Sequence, residues 1–244
     1  KEVLFRHPRV DPDRMFQWAD KPTGIVAIGY EDEEPQVHCL DPEVAAVHRS
    51  LAQAFPGSTI EVSGVSRDRR VILFKAQGPV ENESLHLLDR NRRQLMLVGH
   101  PYPTLESIAM EPSQFISFPA RDGMQLTGRL TLPPGRPVKP PLLVLSGRYA
   151  AGDRTRNALD LEAQVFATRG YAVVRIDYRG VSGYGRAFMD AGHDDPYGHK
   201  ARDLVDGVEY LDTQGLVDGV RVAILGQRWG GLLAMHALAN STTF

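Results

Sequence analysis

Arg221-Val222-Ala223-Ile224-Leu225-Gly226-Gln227-Arg228-Trp229-Gly230-Gly231-Leu232 is the strongest architectural signal in the chain. An apolar run, Val222 to Leu225, enters a five-residue Gly-x-x-x-Gly turn and passes straight into a helical pattern, Gly230 to Ala239. This is the strand–turn–helix context of a nucleophile elbow. A turn this sharp strains its central residue, Arg228, and brings strand and helix so close that side chains at Gly226 or Gly230 would meet backbone. The same spacing also serves as a plain packing turn, so the surrounding sequence has to decide between the two.

Working back from the elbow, strand and helix signals alternate. Gln114 to Pro119 and Met124 to Leu132 flank an Arg121-Asp122-Gly123 turn, and Leu142 to Leu145 is a short buried-strand run. A helix over Leu159 to Thr168, a strand over Tyr171 to Ile176, a helix over Lys200 to Asp212 and the elbow strand follow. This order predicts an α/β fold, a mostly parallel sheet with helices on both faces.

Before residue 113 the rhythm is different. Short β-rich runs occur at Val3 to His7, Gly24 to Glu31, Gln36 to Leu40, Thr59 to Ser66, Arg70 to Ala76, Ser84 to Asp89 and Gln94 to Gly99. One helix interrupts them, with Asp41 as its cap, Pro42 in its first turn, Val44, Val47 and Leu51 on one face, and Pro56-Gly57 as its stop. The last four runs make an up-and-down set of the size of one β-propeller blade. Residues 1–113 are therefore expected to be the C-terminal part of a propeller, and 114–244 the N-terminal half of an α/β-hydrolase domain. Fewer than two blades would leave their flanks bare, so the chain is expected to be a segment of a longer polypeptide.

Composition narrows the function. The chain has 244 residues, 28 Lys+Arg against 30 Asp+Glu and a formal charge of −2, which gives no electrostatic reason to expect nucleic acid as a partner. No apolar run is long enough to span a membrane. The single Cys39 can form neither an internal disulfide nor a cysteine metal cluster, and reads as a small buried apolar residue in a strand. His193-Asp194-Asp195-Pro196-Tyr197-Gly198-His199 is rich in ligand types, but its spacing matches no usual metal motif. Gly180, Gly183 and Gly185 follow a strand without opening a helix in the register of a phosphate cradle. No metal or cofactor is expected.

Several segments together resemble the prolyl oligopeptidase family of serine peptidases, in its dipeptidyl-aminopeptidase and acylaminoacyl-peptidase branch. They are Pro119-Ala120-Arg121-Asp122-Gly123, Gly128 to Pro133, Arg169 to Val174, Tyr178-Arg179-Gly180-Val181-Ser182-Gly183-Tyr184-Gly185-Arg186-Ala187-Phe188, the Asp203 to Val208 helix and the elbow. Weaker similarity to the family's last blade covers Asp41 to Val98. The resemblance implies a β-propeller followed by an α/β-hydrolase domain, acting on peptides or acyl-peptides.

The chain departs from that pattern at the chemistry. The family has its nucleophilic Ser where this chain has Arg228, and a guanidinium can neither attack a carbonyl nor be activated by a neighbouring base. Where the family commonly carries His-Gly-Gly-Pro beside the oxyanion, this chain reads Ser146-Gly147-Arg148-Tyr149. The backbone amide of Trp229, at a helix start, keeps the position of an oxyanion donor. Sixteen residues follow Arg228, with no Asp or Glu and only His236, on the elbow helix, where it reads as a packing or surface residue.

Two functions remain open at this stage. One is a pseudo-peptidase that binds a peptide or another subunit, with Arg228 and Arg148 suited to a carboxylate. The other is a segment of an active serine peptidase, completed by the remainder of the polypeptide, whose nucleophile position has been altered.

Overall fold

The computed structural model describes residues 3–18, 24–80, 82–105, 108–147 and 154–244. The chain divides into two compact units, Lys1–Ala109 with Asn157–Leu159, and Met110–Arg156 with Asp160–Phe244.

The first unit begins with a three-stranded antiparallel sheet of β1 (Pro12–Gln17), β2 (Ile25–Glu31) and β3 (Pro35–Cys39). Helix α1 (Pro42–Ala54) follows, with Asp41 Oδ1 accepting from the amides of Glu43 (2.8 Å) and Val44 (3.3 Å), as a helix N-cap should. A four-stranded up-and-down sheet completes it, made of β4 (Thr59–Val65), β5 (Val71–Gln77), β6 (Ser84–Asp89) and β7 (Gln94–Gly99). Asp89 Oδ1 accepts from the amides of Asn91 and Arg92, both at 3.1 Å, which closes the β6–β7 turn. Val44, Leu51, Ile60, Phe74 and Ala76 are buried in this unit's two apolar clusters.

Two expectations need correction here. Val3 to His7 is not a strand. Pro8 supplies no amide hydrogen, and His7 Nδ1 accepts from the amides of Arg9 (3.4 Å) and Val10 (3.3 Å), so the segment turns and the strand begins at Pro12. Cys39 ends β3 half-buried, and burial pushes its thiol pKa up.

The second unit holds β8 (Ser113–Pro119), β9 (Gln125–Thr131), β10 (Pro141–Leu145), α2 (Leu161–Ala167), β11 (Ala172–Asp177), α3 (Arg186–Asp190), α4 (Gly198–Thr213), β12 (Asp218–Leu225) and α5 (Trp229–Asn240). Its sheet order is β12-β10-β11-β9-β8. β10 runs parallel to β11 and β12, whereas β9 is antiparallel to both β8 and β11. The expected mostly parallel sheet is therefore a mixed one. The tight turn at Gly123 (φ 86°) folds β8 back on β9, which forces that pair to be antiparallel.

Period-two alternation puts helices on both faces. Leu142 and Val144 of β10, with Ala172, Val174 and Ile176 of β11, enter one core with Leu204, Val208 and Leu211 of α4 and Leu233 of α5. Leu143, Leu145 and Val173 point the other way, against Ala163 and Ala167 of α2. On that second face Arg175 bonds Asp160, the N-cap of α2, and Glu162 (2.7 Å), so one strand cation serves the acidic helix start.

Candidate functional site

β12 ends at Leu225 and α5 begins at Trp229, leaving three residues for the turn. Arg228 stands at φ 53°, ψ −116°, a left-handed conformation that an L side chain adopts only under strain, at a cost of about 1–3 kcal/mol. The glycines on either side make the turn possible. A Cβ on Gly226 would lie 2.2 Å from the Gly230 carbonyl oxygen, and one on Gly230 would lie 2.1 Å from the Gly147 carbonyl oxygen.

The end of β10 packs into this turn. Ser146 is buried; its amide donates to the Leu225 carbonyl at 3.0 Å and its hydroxyl to the Gly230 carbonyl at 2.8 Å. Gly147 accepts from the Gln227 amide at 3.4 Å. Ser146 and Gly147 thus lie against the elbow, with the Ser146 hydroxyl engaged in holding it. Arg148 and Tyr149 lie outside the described residues.

Aromatic and cationic groups surround the start of α5. Tyr197 stacks on Trp229 with ring centroids 4.9 Å apart, and His236 tilts against Tyr197 at 6.0 Å. Lys200 Nζ lies 5.3 Å from the Trp229 ring centroid and 5.9 Å from that of Tyr178. Sequence reasoning missed Lys200. Its signal was a lysine at the first position of the apolar stripe that continues through Leu204, Val208 and Leu211.

Buried charge fixes the loop after β11. Arg179 meets Asp203 through its amide (2.9 Å), Nε (2.9 Å) and Nη2 (2.7 Å), and Asp122 through Nη1 (2.7 Å). These carboxylates hold the Arg179 guanidinium pKa above its usual value, and Arg179 holds the Asp122 carboxyl down to about 2. Asp177 is fully buried and accepts from the Thr155 amide (2.7 Å), the Thr155 hydroxyl (2.9 Å) and the Tyr184 hydroxyl (2.5 Å). Burial raises its pKa, and the phenol of Tyr184 is raised with it.

The His193 to His199 segment is not gathered around a common point. His193 pairs with Asp190 (3.4 Å), while Asp195 caps the Gly198 amide (2.7 Å) and meets Arg202 (3.5 Å). Among the described residues no group of three or more His, Cys, Asp or Glu side chains could hold a metal, and no helix is long and apolar enough to cross a membrane.

The second unit is thus a mixed α/β fold, with helices on both faces of its sheet and a strained turn joining β12 to α5. Comparison with known proteins makes this specific. Residues 157–244 match the sequence model of the prolyl oligopeptidase family. Dipeptidyl aminopeptidase BIII of Pseudoxanthomonas mexicana is 28% identical over 233 residues, covering 90% of this chain and 33% of that protein. Dipeptidyl peptidase family member 6 of Caenorhabditis elegans is 24% identical over 265 residues, covering 98% of this chain and 35% of that one.

Solved structures agree in fold. A Mycobacterium tuberculosis puromycin-hydrolyzing peptidase superposes with a TM-score of 0.72 at 20% identity, over 89% of this chain and 34% of its own. Pyrococcus horikoshii acylaminoacyl peptidase gives 0.66 at 18%, over 89% and 34%. Over residues 157–244 the chain is similar to the prolyl oligopeptidase family of serine peptidases, and it spans roughly one third of the length of the relatives it matches.

Proposed function

We propose that this chain is part of a pseudo-peptidase: a prolyl oligopeptidase relative that keeps the elbow and uses it to bind a peptide rather than to cleave one. The observation that carries the reading is Arg228 itself, at φ 53°, ψ −116° between Gly226 and Gly230. The residue in the nucleophile's position carries a permanent cation and no usable lone pair.

In this reading the Trp229 amide remains as a donor at the helix start, and Ser146 and Gly147 support the turn from the oxyanion side. Residues 1–113 serve as the end of a β-propeller, supported by the four-stranded up-and-down sheet, and 114–244 as the first half of an α/β-hydrolase domain. The partners are a peptide or acyl-peptide ligand and either the remainder of the polypeptide or another subunit. The test is turnover of dipeptidyl and acyl-aminoacyl anilides by the full-length protein. No turnover above background is expected, and turnover that survives purification to homogeneity overturns the reading.

A further inference from the structure

The first unit encloses a cavity of about 150 Å³, walled by β1, β2, β4, β5 and helix α1. Its deep end is apolar: Val26, Ala27, Ile60 and Ile72 line it there, each at most 3% exposed. Phe16 and Trp18 add two aromatic rings. From α1 come Val44, Val47 and His48, whose i, i+3, i+4 spacing puts them on one helix face.

Packed interiors hold few voids larger than a water molecule, and an unfilled one costs stability in proportion to its volume. Water is a poor filling here. An ordered water needs about two to four polar partners, and the side chains of the deep end supply none. An apolar guest fits this wall, and about 150 Å³ is the space taken by one benzene-sized ring.

The lining grows polar toward the mouth, where Met15, Gln17 and Ser63 are exposed and His48 is half-buried. The side chains of Gln17, His48 and Ser63 make no hydrogen bond to any described residue. Burial lowers the His48 pKa, so at neutral pH its imidazole is uncharged and offers one N–H and one lone pair. Among the described lining residues there is no Lys, Arg, Asp or Glu, so nothing in the wall compensates a charged guest. Apolar walls with aromatic rings and a few polar groups at one end are the usual make-up of a small-molecule site.

We propose that this cavity is a binding site for a neutral monocyclic aromatic compound bearing one hydrogen-bonding group, its ring between Phe16 and Trp18 and its polar end toward His48. The site belongs to the first unit and is independent of what the elbow does.

The experiment is calorimetric titration of the full-length protein with phenol, toluene and benzoate. Phenol and toluene are each expected to bind once per chain, with dissociation constants of about 1 mM or tighter, and benzoate at least about tenfold more weakly than phenol. His48→Leu is expected to weaken phenol relative to toluene by about three- to tenfold, the worth of one hydrogen bond. Val62→Phe, which fills the cavity from β4, is expected to abolish binding of both.

Failure of both neutral compounds to bind, benzoate binding as tightly as phenol, an unchanged phenol-to-toluene ratio in His48→Leu, or binding that survives Val62→Phe would each overturn the site. Where a variant does not melt cooperatively, crystals of the parent protein soaked in 4-bromophenol decide by the anomalous signal of bromine. A peak in the space lined by Phe16, Trp18 and His48 supports the site, and its absence there overturns it.

Discussion

The Ser146 hydroxyl donates to the carbonyl oxygen of Gly230 at 2.8 Å, from a position 1% exposed. It ties the end of β10 to the first turn of α5, across the residue that carries the strained backbone. Ser146→Ala leaves that carbonyl without its buried donor and is expected to cost about 1–2 kcal/mol of stability in chemical denaturation of the full-length protein. A variant as stable as the parent would show that the tie contributes nothing.

The two glycines at 230 and 231 are adjacent in sequence and opposite in tolerance. A Cβ on Gly230 would lie 2.1 Å from backbone, whereas one on Gly231 would lie 3.4 Å from its nearest neighbour, the Gly226 carbonyl oxygen. Gly230→Ala is expected to destabilise by about 3 kcal/mol or to prevent folding. Gly231→Ala, inside a helix with room for the methyl, is expected to be neutral or stabilising by up to about 1 kcal/mol. Comparison of their melting temperatures checks both.

Gly226 and Gly230 were legible because a sharp strand-to-helix turn demands residues without side chains, and that demand is local in sequence. The same locality explains why the spans of β6 and β7 follow from the sequence alone. Other features depend on partners far away. The antiparallel pairing of β9 with β11 is set by the sheet as a whole, and α3, five residues without a side-chain cap, is too short to show a period. Val3 to His7 has strand-like composition, yet the His7 imidazole and Pro8 take it out of any ladder. A lysine near a helix start is ordinarily solvated, whereas Lys200 is 3% exposed and lies against the rings of Tyr178 and Trp229, which come from other parts of the chain.

Arg179 and Asp203 form a buried pair, 6% and 0% exposed. Arg179→Met leaves the carboxylate of Asp203 without its cation and is expected to cost about 3–5 kcal/mol, with Arg179→Lys recovering only part because an ammonium cannot reproduce the two-pronged contact. Denaturation midpoints measure both. A loss below about 1 kcal/mol for Arg179→Met would show that the pair does not hold α4 in place.

Asp122 adds a pH dependence. Arg179 lowers its carboxyl to about 2 in the folded protein, below the ordinary value of 3.8, so the stabilisation is present above pH 4 and is lost as pH falls toward 2. The Asp122 side chain is half exposed, so solvent screens the pair and the effect is expected to stay below about 1 kcal/mol. Asp122→Asn should therefore lose stability relative to the parent at pH 6 and match it more closely at pH 2.5. An equal difference at both pH values would contradict the assignment.

The central claim is that the residue at the elbow is chemically inert toward an acyl group. Labelling of the full-length protein with a fluorophosphonate probe, which requires an activated serine nucleophile, tests it most directly, with Arg228→Ser as the paired variant. No labelling of the native protein is predicted, and labelling gained by Arg228→Ser would show that the arginine is the only lesion. Stoichiometric labelling of the native protein, blocked by a peptide-like inhibitor, would contradict the account.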